Sequence, residues 1–131
     1  MIFSLADLNQ DEEQDCPIHL KVGDREVSPI VRLRSSLSKT GVDARNVYAE
    51  GIRKVIEEKN ATEQVLISLE ADHAISLLVG WPKGSEEFFQ CESTEENMEA
   101  IMRSPAYGIV RKAIIEASTV SENFTFKASL K

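Results

Sequence analysis

Two histidines, two cysteines and twenty-two acidic side chains are among the groups in this 131-residue chain able to hold a metal, attack a carbonyl or move a proton. Acid/base work needs two carboxyls converging on one substrate, and Glu86-Glu87 and Glu95-Glu96 are the paired candidates. Neighbours in sequence diverge by about 100° around a helix, so each pair reads as a solvated acidic face. His73 follows Asp72 with neither a serine or cysteine in nucleophile context nor a glycine-rich oxyanion turn nearby, which makes it part of a polar helix face. His19 has no Cys, Asp or second His at ligand spacing. Cys16 and Cys91 lack CxxC spacing and sit beside acidic residues that disfavour a thiolate, so reduced cytosolic thiols are expected. Asp7-x-Asn9-x-Asp11 opens like a calcium loop, but Glu12 stands where the glycine belongs and Ile18 where the closing carboxylate belongs. The sequence therefore assigns no catalytic residue, no cofactor-binding residue and no metal ligand.

The balance of fifteen basic against twenty-two acidic residues, a formal −7, argues against nucleic-acid backbones and anionic membrane surfaces as partners. A hydrophobic share of 42% is enough for one domain with a modest core. The first residues lack a basic, then apolar, leader pattern, and no stretch approaches about 18 uninterrupted apolar residues. The expectation is a protein that is neither exported nor membrane-spanning.

The elements that must position these groups are organised around Leu77-Leu78-Val79-Gly80-Trp81-Pro82, where an apolar helical run meets two breakers and the only tryptophan. Trp81 is expected to plug the core at this helix end, with its indole N–H reaching water or a carbonyl. Upstream, residues 1–16 read as an acidic arm, residues 17–126 as a single globular domain and residues 127–131 as a flexible tail. Alternation over Ile18, Leu20 and Val22, a Gly23-Asp24 turn and a return over Glu26–Arg34 predict a hairpin whose edge Pro29 interrupts. Ser35–Gly41 reads as a polar linker, and Asp43 as the cap of a helix with a stripe of Val47, Tyr48, Ile52, Val55 and Ile56.

A break at Lys59-Asn60-Ala61 and a cap at Thr62 begin the central helix, which runs to Gly80, although Val65–Leu69 alone is also compatible with a strand. A short helix capped by Ser93 or Thr94 carries Met98, Ile101 and Met102 and ends at Ser104-Pro105. The last helix carries Tyr107, Ile109, Val110, Ala113, Ile114 and Ala117. The predicted class is α+β, mainly α-helical, an N-terminal β-hairpin packed on a bundle of about four helices.

This order, with Gly80-Trp81 closing an apolar helix, Phe88-Phe89 in an acidic stretch and a last helix running to Asn123-Phe124, resembles the tail assembly chaperones of long-tailed bacteriophages. The resemblance implies a non-enzymatic protein of the host cytoplasm that coats the tape-measure protein during tail tube assembly. It also implies contact with the tail tube protein, homo-oligomers or rings, and a longer product made by frameshifting. Trp81, Phe88, Phe89, Tyr107 and Ile109 are the candidate partner-binding residues. The reading from another class is a small acidic helical adaptor or antitoxin-like regulator.

Overall fold

The computed structural model describes residues 13–120 and 124. The calcium-like residues 7–11, the first part of the expected arm and the expected tail lie outside the described residues.

Near the N-terminus lie four short strands, β1 (Glu13–Pro17), β2 (Leu20–Val22), β3 (Arg25–Val27) and β4 (Ile30–Arg34). Gly23, at φ 62°, turns β2 back on β3, which is the left-handed position glycine takes without penalty. The hairpin is thus as read, but the return strand is broken. Pro29 has no N–H to donate, and its carbonyl instead accepts from the Ile18 N–H at 3.0 Å. Beyond that break β4 leaves the hairpin and becomes the centre of a separate antiparallel sheet. Its Val31 and Leu33 are fully buried, while Arg32 points outward to Asp15 at 3.2 Å and Glu13 at 3.6 Å. These pairs correct the arm boundary. Glu13 to Cys16 belong to β1 because Arg32 and Arg34 answer the carboxylates and Cys16 goes into the core.

Helix α1 (Lys39–Glu58) starts earlier than expected, because Ser38 and not Asp43 is its cap. The Ser38 hydroxyl accepts from the Gly41 N–H at 3.0 Å and donates to the Ser35 carbonyl at 2.6 Å. The expected linker is therefore a buried serine corner, tied to the last helix by Ser36 N–H donating to the Ser118 carbonyl at 2.9 Å. Glycine is required at 41, since a Cβ there would collide with the Ser35 carbonyl and lie 2.7 Å from the Ser36 Cα. The buried line of α1 also differs from the expected stripe. Val55 is buried as expected, but the line it shares runs through Ala44 and the half-buried Gly51, and Val47 and Ile56 are left 68% and 67% exposed. Small residues win that line because they let Leu69 of the next helix approach, its Cδ2 lying 2.6 Å from where a Gly51 Cβ would be.

Lys59, left-handed at φ 54°, ends α1, and Thr62 caps α2 (Glu63–Leu77) by accepting from the Val65 N–H at 3.2 Å. Val65–Leu69 is thereby helical. Helix α2 packs against α1 and against both helices near the C-terminus, with Ala71 and Ala74 completely buried, so it is central as expected. It stops at Leu77, short of Gly80. Leu78–Gly80 extends as β5 and pairs with β4, which satisfies its backbone groups through the ladder in place of a left-handed cap. Gly80 keeps its glycine for another reason: a Cβ there would lie 2.9 Å from the Ser93 hydroxyl. The sheet order is β1-β4-β5.

The chain finishes with a short α3 (Glu86–Phe89), α4 (Glu95–Arg103) capped by Thr94, and α5 (Gly108–Thr119). Single 3₁₀ turns at Lys83–Ser85 and Pro105–Tyr107 precede α3 and α5. Met102, Val110, Ala113, Ile114, Ala117 and Phe124 close the core. The class is α+β and mainly helical, as the sequence predicts.

Candidate partner-docking cleft

Trp81 leaves β5 and turns into the core, where it is 6% exposed. Its indole N–H donates to the Cys91 carbonyl at 3.0 Å, and its own carbonyl accepts from the Ser93 hydroxyl at 3.2 Å. The ring stacks on Phe89, centroids 4.0 Å apart and planes 15° from parallel. The indole thus finds the carbonyl expected of it. As a direct partner contact Trp81 is misplaced, because Phe89 and the 91–93 segment cover it.

Helix α3 is one turn long, and the left-handed Gln90 ends it at φ 62°. One turn is enough to send consecutive side chains about 100° apart. Phe89 goes inward at 8% exposure and Phe88 outward at 40%, the two rings meeting edge to face at 4.9 Å. Across from Phe88, the turn before α5 puts Tyr107 at the surface, 48% exposed, with Ile109 at 46%. Between these elements lies a cleft of about 120 Å³, lined by Phe88, Phe89, Gln90, Ile101, Tyr107 and Val110. Of the five residues singled out by sequence, Phe88 and Tyr107 are its walls and Phe89 part of its floor. Ile109 is an exposed neighbour, and Trp81 is the backing.

The residue that sequence reasoning missed is Arg111. It is 3% exposed, its Nε donates to the Glu70 carboxylate at 2.9 Å, and one guanidinium nitrogen reaches the Met102 and Ser104 carbonyls at 3.1 and 2.6 Å. These bonds tie the end of α4 to α5 and α2 and so fix the turn that carries Tyr107. The available signal is a charged residue between Val110 and Ala113 on the apolar side of α5.

A second cleft, about 260 Å³, lies between α1 and α2 and is lined by groups that include Asp43, Tyr48, Asp72, His73 and Ser76. Two of its polar groups are engaged in bonds of their own. Asp72 is paired with Arg103 at 2.8 Å, and the Ser76 hydroxyl donates to the Asp72 carbonyl at 2.9 Å. His73 stacks on Tyr48 at 5.1 Å, and burial followed by the charge of Arg45 lowers its pKa from the usual 6.5. His19 faces the Ser28 hydroxyl at 3.1 Å. Burial and then Asp15 push the Cys16 thiol up to about 11, leaving it an unreactive core group. Among the described residues, no three His, Cys, Asp or Glu side chains are arranged to hold a metal, and no helix is long and apolar enough to cross a membrane.

The chain matches no protein-family model, no curated protein and no solved structure.

Proposed function

We propose that this chain is a tail assembly chaperone of a long-tailed bacteriophage. In this reading it binds the tape-measure protein in the host cytoplasm while the tail tube forms, works as a homo-oligomer and turns over no substrate. A frameshift-extended form would belong to the same reading. The order of elements around Gly80-Trp81 supports it, and the observation that carries it is the outward set of Phe88, Tyr107 and Ile109 on a braced platform.

Fully burying such a side chain contributes roughly 1.5–3 kcal/mol and these are already about half covered, so each adds roughly half of that at most, and a long helical partner offers anchors at i, i+3, i+4 and i+7 that can engage several in register. Repeating a modest site along a long partner raises the total by effective concentration, which suits a protein that coats its client in many copies. The direct test is co-expression with a tape-measure protein of a long-tailed bacteriophage, read by co-purification and by the soluble fraction of the client. The expected result is a soluble complex that Phe88→Ser weakens. A client equally soluble alone, which never co-purifies, would defeat the reading.

A further inference from the structure

The charge of this molecule is unevenly placed. Residues 86–100 contain six glutamates and no lysine or arginine, in a chain whose net charge is −7. That segment is α3 and the greater part of α4, which supply Phe88, Phe89, Gln90 and Ile101 to the cleft. Only Glu99 is answered, by Arg103 at 3.0 Å; Glu86, Glu87, Glu92, Glu95 and Glu96 make no ion pair with any described residue. Elsewhere the described carboxylates divide evenly: Glu13, Asp15, Glu50, Glu57, Glu70 and Asp72 are held by arginines, and Asp24, Glu26, Asp43, Glu58, Glu63 and Glu116 make no ion pair with a described residue. Arg32, Arg53, Arg103 and Arg111 all hold carboxylates, and Lys112 lies on a different groove with Glu63 and Glu70.

We propose that the Phe88–Tyr107 cleft seats one large apolar side chain of a partner helix, and that lysines or arginines flanking that side chain meet the unpaired glutamates and select the segment. This deepens, and rests on, the reading of the chain as a binding protein for a helical client. The size fits a single anchor, since an apolar cavity of roughly 150 Å³ holds one benzene ring. The charge fits a basic flank, because opposite potentials speed encounter and an acidic segment would be repelled. The walls are already set in the free chain by the Trp81–Phe89 stack and the Arg111 bonds, so little ordering cost is left for binding.

The test uses the full chain and a fluorescein-labelled synthetic helical peptide with leucines at i, i+3, i+4 and i+7 flanked by lysines, followed by anisotropy. Two twins are compared with it, one with glutamate for each lysine and one with serine for each leucine. Each twin should bind about tenfold more weakly or worse, and Phe88→Ser and Tyr107→Ser should each weaken the leucine-lysine peptide by about the same factor. Replacing Glu87, Glu95 and Glu96 by glutamine should flatten the salt dependence of that peptide's affinity. Both aromatic side chains are exposed, so the variants should keep native Trp81 emission. A glutamate twin that binds as well as the lysine peptide, or a folded Phe88→Ser and Tyr107→Ser pair with unchanged affinity, would overturn the proposal. Peptide selectivity without tape-measure co-purification keeps this site and removes that client; co-purification without peptide selectivity does the opposite.

Discussion

Two arginines show how differently this chain uses the same chemistry. On the outer face of α1, Arg53 is gripped by Glu50 and Glu57, and all three side chains are more than half exposed. At the junction of α2, α4 and α5, Arg111 and Glu70 are 4% and 20% exposed. The exposed triad has the greater number of bonds between charges, yet water already solvates each member nearly as well as its partners do. The buried pair gains little from being charged in itself, but each member depends on the other, because a lone guanidinium there would have lost its hydration without replacement. Burial, and not the count of ion pairs, decides which arginine the fold depends on.

The largest test of that contrast is Arg111→Ala. It strips partners from Glu70 and from the Met102 and Ser104 carbonyls, and should cost about 3–5 kcal/mol in denaturant unfolding. A cost below about 1 kcal/mol would put Arg111 in the same class as Arg53. Glu70→Gln keeps an acceptor for Arg111 and removes only its charge, and should fall lower, at about 1.5–3 kcal/mol. A smaller effect belongs to the seam between α1 and α2. The folded-state pKa of His73 lies below its unfolded value of 6.5, so the unfolded chain binds the extra proton first as pH falls. Stability should therefore be level above about pH 6.5 and decline below it. His73→Gln should flatten that stretch of the melting-temperature profile, and an unchanged slope would remove His73 as its cause. Smallest of all, Arg53→Ala should leave the unfolding midpoint within the scatter of repeat melts.

Local features were legible and distant ones were not. Thr62 caps its helix as its position predicts, and of the pair Ser93 and Thr94 it is Thr94 that caps α4, since a cap is settled within three or four residues. Trp81 was legible as a core plug because a lone indole between Gly80 and Pro82 has few other places to go. The cap sits at Ser38 and not at Asp43 because Ser38 is buried against Ser35 and Ser36 is bonded to Ser118, neither of which is visible locally. Leu78–Gly80 continued an apolar helical run on paper, and only β4, far back in sequence, makes it a strand. Phe88-Phe89 announced an aromatic site without saying which ring faces out. The one-turn length of α3 settles that, and Gln90 sets that length. Arg111 stands on the apolar side of α5, but what answers its charge there is hidden from local reading, its partner Glu70 lying 41 residues upstream.

The pairing of β5 with β4 also sets the order in which the chain assembles. All of α1 and α2 lies between the two strands, and the neighbouring bond from the Ser85 hydroxyl to the Ile30 carbonyl spans 55 residues. Joining ends that far apart costs loop entropy before any bond repays it, whereas a helical hairpin closes through near neighbours. The α1–α2 hairpin, by shortening the gap, is expected to act as the splint on which the sheet closes. In refolding from denaturant, far-ultraviolet helical signal should then recover ahead of native Trp81 emission; coincident recovery would mean that the sheet and helices form in one step.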